Sequence, residues 1–203
     1  MKAILFCGQN IDLNKYNLKD SYLIGVDNGA LILANNKIEM DLALGDFDTA
    51  KEENLNLIMK YSKKIKKLNP IKDDTDTFDA LDIVYGKYDE ILVLGGIQGK
   101  RVEHLISNIY ALKKYKGLKL IDDYSLIEII DKDKEFKKDE YKYISFFSLK
   151  DSIVSLKGFK YNLDNYNLKV FDPICISNEI VDDIAYLTLD GEVLCIKSMD
   201  DNK

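Results

Sequence analysis

The chain has 203 residues, 46% hydrophobic and 32% charged, with a formal net charge of −6. This is the balance of a soluble globular protein with room for one large domain or two small ones. The acidic balance argues against an extended nucleic-acid surface and leaves at most a local basic groove. No apolar run approaches the ~20 residues of a membrane-spanning helix, so neither nucleic acid nor membrane is expected as a partner. Cys7, Cys175 and Cys195 are scattered and odd in number. No close pair could form a zinc site or a redox dithiol, and a reducing cytoplasm is the simplest setting.

In chain order, the apolar start up to Cys7 is too short for a secretory signal and lacks a small-residue cleavage site, so it reads as a first strand, Ala3–Cys7. Further strands are predicted at Tyr22–Val26, Asp41–Leu44, Lys64–Lys67, Glu90–Leu94 and Leu118–Ile121. Helices are predicted between them, near Gly29–Asn35, Lys51–Tyr61, Thr75–Tyr85 and Glu103–Lys114. Such alternation predicts βαβ units and a mostly parallel sheet. In the last helix Val102, Leu105, Ile106, Ile109 and Leu112 form an apolar stripe at 3.6-residue spacing. Beyond residue 123 the pattern changes. Short β-rich runs, Ser125–Ile130, Tyr141–Phe147, Ile153–Leu156, Ala185–Leu189 and Val193–Ile196, are separated by polar turns such as Asp131–Lys134. This half reads as a small antiparallel β-sandwich or barrel. The predicted organisation is an α/β domain over residues 1–123 and an all-β domain over 124–203.

Three acidic loops follow predicted strands. Gly45-Asp46-Phe47-Asp48-Thr49 places two carboxylates two residues apart. Asp73-Asp74-Thr75-Asp76-Thr77 comes about 30 residues later, and Asp27 sits in Gly25-Val26-Asp27-Asn28-Gly29. Open α/β sheets bind ligands beyond the carboxyl ends of their strands. Clustered carboxylates repel one another, and Mg²⁺ relieves that repulsion while holding phosphate oxygens. A lone Asp-x-Asp is more often a solvated turn or a helix cap; two further acidic loops at equivalent strand ends favour a site. Asp74 or Thr75 could cap the following helix, which accounts for some of the second knot but not all of it. Asp-x-Asp also serves as nucleophile and acid in haloacid-dehalogenase-type phosphatases, but those expect Thr or Val where this chain has Ala50, and their motif follows the first strand. Nucleotide-sugar glycosyltransferases use Asp-x-Asp to hold a metal.

Gly95-Gly96-Ile97-Gln98-Gly99-Lys100-Arg101 follows a strand and opens a helix. Glycines let backbone N–H groups approach phosphates, and the helix dipole favours an anion there. The spacing is neither a P-loop nor a dinucleotide fingerprint. On the following helix Arg101, His104 and Asn108 fall on one arc of roughly 60°. His104 is the sole histidine. A boundary histidine with a satisfied hydrogen bond is the plain reading. The arc beside a glycine-rich turn predicts an anion pocket in which Arg101 braces phosphate oxygens.

With these motifs in hand, the chain resembles the thiamine pyrophosphokinases. Asp27-Asn28-Gly29-Ala30 matches the family's Asp-Gly-Gly-Ala loop, and Gly45-Asp46-Phe47-Asp48-Thr49 its Gly-Asp-Phe-Asp-Ser. Lys72-Asp73-Asp74-Thr75-Asp76 matches Lys-Asp-x-Thr-Asp. Gly99-Lys100-Arg101-Val102-Glu103-His104 with Asn108 matches Gly-Gly-Arg-x-Asp-His followed by Asn. Gly158–Leu163 is similar to Gly-x-Lys-Tyr-Pro-Leu, and Ser177-Asn178-Glu179 to Ser-Asn-Glu. The motifs run in family order over nearly the whole chain. The departures are Asn28, Thr49, Lys100, Glu103 and Asn162. The chain also has no Trp to stack on thiamine.

The resemblance implies a β-sandwich as the second domain, thiamine binding and dimerisation through it, and Mg²⁺-dependent transfer of pyrophosphate from ATP to thiamine. Asp46, Asp48 and Asp76 would hold the metal, and with Arg101 would carry catalysis. Asp27, Asn28, Asp73, Gly96, Gln98, Gly99, His104, Asn108, Ser177 and Asn178 would bind substrates. The site would be shared between the subunits of a homodimer. Two other readings stay open here: a Mg²⁺-dependent phosphohydrolase using Asp46 and Asp48, and a non-catalytic sensor of thiamine diphosphate.

Overall fold

The computed structural model describes residues 1–8, 11–48, 50–69, 71, 74–99 and 101–200. The chain divides into two compact units, Met1–Asp123 and Tyr124–Lys203.

In the first unit, strands β1 (Lys2–Phe6), β2 (Ser21–Val26), β3 (Leu42–Gly45), β4 (Ile65–Lys67), β5 (Glu90–Leu94) and β6 (Leu118–Ile121) are all parallel to their neighbours. Their spatial order is β6-β5-β1-β2-β3-β4. The crossovers are helices α1 (Asn28–Asn35), α2 (Glu52–Tyr61), α3 (Asp76–Val84) and α4 (Val102–Lys114). β1 to β2 runs instead through a 3₁₀ turn at Leu13–Lys15. The central strands are buried along almost their whole length. That is the environment of a parallel sheet covered on both faces, and it explains why they read as unbroken apolar runs. β4 differs: all three of its residues are exposed and two are lysines. Lysine on an edge strand discourages pairing with another chain.

The four expected helices form, with one correction. The stripe predicted on α4 is only partly the buried face: Leu112 is buried and Leu105 and Ile109 are half-buried. Asn108, Ala111 and Leu112 are buried, whereas Val102 and Ile106 are exposed. The buried face turns toward Tyr115, which packs edge-on against Phe78 and Tyr85 and donates its hydroxyl hydrogen bond to Asp82 at 2.6 Å. The buried face is therefore offset from the stripe of large apolar residues, because a small Ala and a hydrogen-bonded Asn join Leu112 where the helix meets its neighbours.

The second unit is a sandwich of two antiparallel sheets, and the elements are β7 (Ser125–Ile130), β8 (Lys134–Lys137), β9 (Tyr143–Ser148), β10 (Ser152–Lys157), β11 (Leu163–Leu168), β12 (Asn178–Glu179), β13 (Ile184–Asp190) and β14 (Val193–Ser198). One sheet contains the order β12-β9-β14-β7, the other β11-β10-β13-β8. Strict in–out alternation along β13 sends Ala185, Leu187 and Leu189 inward. Phe136, Phe146 and Phe159 meet edge-to-face at 5.8–6.0 Å in the middle of the core, a geometry the ring quadrupoles favour. β8, β11 and β12 were not expected. β8 has one apolar residue, Phe136, and β11 reads Leu-Asp-Asn-Tyr-Asn-Leu. Each is held by pairing with a well-patterned neighbour rather than by its own propensity.

Candidate active site

The chain leaves β1 to form β2 on one side, and after β4 crosses back to form β5 on the other side of β1. Connections diverge at such a point and leave a crevice beyond the strand ends. A cavity of about 490 Å³ opens there. Cys7 enters it from the end of β1, Asp27 and Asn28 from the end of β2, and Thr77 from the first turn of α3. Gly95–Gly99 come from the turn after β5, and Arg101, His104, Leu105 and Asn108 from the start of α4.

Two glycine contacts make this edge compact. A Cβ on residue 8 would lie 2.3 Å from the Cα of Gly95, which itself has φ of +83°. A Cβ on residue 45 would lie 2.2 Å from Asp27 Oδ1, so glycine at the end of β3 makes room for the Asp27 carboxylate. Asp27 has φ of +49°, a region that non-glycine residues enter at a cost and that concentrates at functional sites. Its N–H donates to the Leu44 carbonyl at 2.8 Å, tying the ends of β2 and β3 together.

The Asp46–Asp48 loop is organised by the residue between the acids. Phe47 has φ of +52° and buries its ring in the core. With Phe47 turned inward, the acids on either side stand outward. Asp46 is half-buried and its Oδ1 accepts the Asp48 N–H at 3.1 Å. Asp48 is exposed, with Lys67 Nζ 3.7 Å from its Oδ1.

Thr75 caps α3, its hydroxyl accepting from the Phe78 N–H at 3.4 Å, which leaves Asp76 in the first turn. Thr77 Oγ1 lies 3.7 Å from Cys7 Sγ. Burial pushes the Cys7 thiol up to about 12, the hydrogen bond to Thr77 works against this, and the negative charges of Asp27 and Asp76 reinforce it. Asp27 and Asp76 thus act on the same point at the end of β1. Asp73, expected among the substrate-binding residues, lies outside the described residues.

Among the described residues no three carboxylate, imidazole or thiol groups converge as a ready-made metal cage. The donor set is nevertheless one of hard oxygen ligands at neighbouring strand ends. Mg²⁺ is ordinarily bound through one or two carboxylates, with waters and substrate phosphates completing its shell. The residues fit that ion better than one needing an all-protein cage.

Asn108, buried in α4, donates its amide to the Gly96 carbonyl at 2.8 Å. Its first job is therefore to hold the glycine-rich turn in shape. Arg101 precedes α4 in extended conformation. Its Nε donates to Glu103 Oε1 at 2.7 Å, and the guanidinium holds the Glu103 carboxyl below the usual range. A helical wheel places Glu103 far from Arg101. Because Arg101 is the cap rather than part of the helix, the wheel does not apply to it, and the two residues pair.

In the second unit the segments 158–163 and 177–181 are knitted together. Asn178 is buried. Its Oδ1 accepts the Tyr161 N–H at 3.0 Å, and its Nδ2 donates to the Tyr161 carbonyl at 2.7 Å. Lys160 pairs with Glu179 at 2.7 Å. Asn162, where the family pattern has Pro, accepts the Phe159 N–H at 3.2 Å and closes the turn by side chain instead of by ring. Ser177 is exposed, with φ of +56°, and its N–H donates to Ser145 Oγ at 2.9 Å. Asn178 opens β12, and its amide is committed to the backbone of Tyr161. Tyr161 itself is 58% exposed.

Residues 13–121 match the model of the thiamin pyrophosphokinase catalytic domain, and residues 128–194 match that of the thiamin pyrophosphokinase vitamin B1 binding domain. The chain belongs to the thiamin pyrophosphokinase family. Over 180 residues it is 36% identical to a thiamine pyrophosphokinase of Bacillus subtilis (strain 168), covering 84% of this chain and 83% of that protein. Its fold is similar to the crystal structure of the thiamine pyrophosphokinase from Bacillus subtilis, with a TM-score of 0.88 and 30% identity over 98% of this chain and 100% of that one. The crystal structure of the thiamin pyrophosphokinase from Geobacillus thermodenitrificans gives a TM-score of 0.86 at 27% identity, covering 98% of each chain.

Of the residues carried over from the family's motifs, Asp27, Asn28, Gly96, Gln98, Gly99, Arg101, His104 and Asn108 meet around one cavity. Asp46, Asp48 and Asp76 lie at the adjoining ends of β3 and α3. Ser177 and Asn178 belong to the other unit. Cys7 and Thr77 line the cavity and were not expected. The signal available was their position, since Cys7 ends the strand at which the sheet's connections diverge. Lys67 gave no signal within its run of lysines.

Proposed function

We propose that this chain transfers the β,γ-diphosphoryl group of ATP to the hydroxyl of thiamine, giving thiamine diphosphate and AMP, with Mg²⁺ as the required cation. The observation that carries this reading is the cavity beside β1, where an acidic strand end, a glycine-rich turn and a cap arginine face one space in a chain of this family. Phosphoryl-type transfer asks a protein mainly for positioning and charge stabilisation, and these residues offer both.

Asp46, Asp48 and Asp76 would hold Mg²⁺, with Asp27 bordering them. When bound, the ion would supply positive charge that offsets the repulsion between these carboxylates and the phosphates. The backbone of Gly95–Gly99 presents N–H groups toward the phosphates, kept in place by Asn108. Arg101 balances the negative charge that builds as the bond between the α- and β-phosphates breaks and AMP leaves, and Glu103 sets its direction. His104 and Gln98 border the same space.

Homodimerisation belongs to the same proposal, with thiamine held between the acidic loops of one subunit and the Ser177 segment of its partner. Exposed Tyr161 takes the stacking role that a Trp would fill. The scattered free cysteines support a reducing, cytoplasmic setting. Among the described residues no helix is long and apolar enough to cross a membrane.

The phosphohydrolase reading loses support because Asp46 and Asp48 follow β3, two strands from β1, rather than the first strand. The sensor reading leaves the outward-facing acids without purpose. The deciding assay is AMP formation from ATP, with and without thiamine and with and without Mg²⁺. The proposal expects AMP only when all three are present; thiamine-independent release of inorganic phosphate would overturn it.

A further inference from the structure

Lys67 ends β4 and pairs in parallel register with Gly45, the residue before the acidic turn. The Leu68 N–H donates to the Gly45 carbonyl at 2.9 Å, which fixes the end of β4 against the start of that turn. From there Lys67 Nζ reaches to 3.7 Å from Asp48 Oδ1, with both side chains open to solvent. β4 carries lysines for a reason unrelated to chemistry, protection of a sheet edge, and Lys66 serves that purpose equally well. Alternation along the strand turns Lys66 to the opposite face. Of the two, Lys67 stands at the carboxyl end of the sheet beside a carboxylate of the proposed site.

We propose that Lys67 is a further polyphosphate-binding residue, stored on Asp48 until a divalent cation displaces it. This rests on the functional reading above. An ammonium and a divalent cation compete for one carboxylate, so the ion's arrival must free the lysine. The freed ammonium is a mobile point charge on a four-carbon stem beside incoming phosphate oxygens. Lys67 thus weakens binding of the bare cation and strengthens binding of the cation–nucleotide complex. An exposed ion pair moves an equilibrium by up to about fivefold, which sets the scale of the effect.

The test compares wild type, Lys67→Met and, as a control on the same edge strand, Lys66→Met. Binding of Mn²⁺ to the protein alone is followed by electron paramagnetic resonance, and KM for ATP and for thiamine by AMP formation. The exposed substitutions leave the core untouched. The expected result for Lys67→Met is Mn²⁺ binding tighter by about two- to fivefold, a raised KM for ATP and an unchanged KM for thiamine, with Lys66→Met near wild type. Unaltered Mn²⁺ affinity, absence of any Mn²⁺ site in both proteins, or equal shifts in both variants overturns the role of Lys67 while an active wild type leaves the diphosphotransfer reading intact. A wild type that forms no AMP overturns that reading, and this inference with it.

Discussion

The acids of the α/β unit and Asn178 of the β unit are held in opposite ways. In the α/β unit the carboxylates of the Asp46–Asp48 turn are offered outward. The sheet fixes where each strand ends, Phe47 anchors its turn by burying its ring, and Asp46 and Asp48 on either side face solvent or half-face it. In the β unit the motif residue Asn178 is turned inward, with both ends of its amide on the Tyr161 backbone. Parallel strands buried on both faces fix where the loops at their ends begin. The irregular segment 158–162 has a bridge from Phe159 to Ile180 and the Lys160 N–H on the Glu179 carbonyl, and the backbone of Tyr161 is held by a side chain. A family motif residue can therefore be an instrument, like Asp48, or a fastening, like Asn178 and Asn108, and substitution separates the two.

The largest effect belongs to the outward-facing acids. Asp46→Asn or Asp48→Asn is expected to lower turnover on the order of 10²-fold or more, the scale seen when a preorganised electrostatic group is removed from a reaction centre. Stability should hold or rise slightly, because a charge leaves a crowded acidic edge. Steady-state AMP formation beside thermal unfolding checks both halves. Wild-type turnover in both variants would break the contrast at its first term.

The next test asks whether the units of different subunits cooperate. An Asp48→Asn subunit and a Ser177→Ala/Asn178→Ala subunit, each inactive alone, are mixed and refolded together. A two-fold symmetric dimer with shared sites regains one working site, up to about half the activity of a wild-type dimer. Heterodimers that form and stay inactive would confine the site to one subunit.

The contrast also shows what the sequence discloses. β1, β2, β3 and β5 were legible because burial on both faces demands apolar runs, and the acidic and glycine-rich loops were legible because they follow those runs. β8, β11 and β12 were not, since Lys-Glu-Phe-Lys and Leu-Asp-Asn-Tyr-Asn-Leu become strands only once β13 and β10 lie beside them. The burial of Asn178 was illegible for the same reason. Its partner is a backbone amide 17 residues away, and no side-chain pattern records that. The pairing of Glu103 with Arg101 was not legible because a helical wheel does not extend to the cap residue before the helix. The room that Gly45 leaves for Asp27 arises between two strands and has no signature in either.

Asn178→Ala tests the fastening itself. Removing the amide takes away two part-buried hydrogen bonds to the Tyr161 backbone, worth about 0.5–1.5 kcal/mol each. A lowered unfolding midpoint and a raised KM for thiamine are expected together, with kcat falling less than in Asp46→Asn. Full stability in Asn178→Ala would mean that the pairing of Lys160 with Glu179 suffices to hold the segment.

A last effect comes from the core of the β unit and extends the contrast to pH. Cys195 is fully buried on β14, and desolvation raises its thiol from an ordinary value near 9 to about 12, with the Glu128 charge adding to the rise. The folded protein therefore keeps this proton at pH values where the unfolded chain has lost it. The contribution is complete below pH 9 and disappears as pH climbs toward 12. While it disappears the native state binds one more proton than the unfolded state, so stability falls by at most about 1.4 kcal/mol per pH unit for this thiol. Lysines with raised values, such as Lys63 and Lys160, add to the alkaline loss, which makes the difference between two proteins the informative quantity. Cys195→Ala should be the less stable protein at pH 8, because it leaves a small void. Its deficit against wild type should then shrink between pH 9 and pH 11 in urea unfolding. A deficit independent of pH would mean that the thiol ionises alike in the folded and unfolded chains, and that burial on β14 does not withhold it from water.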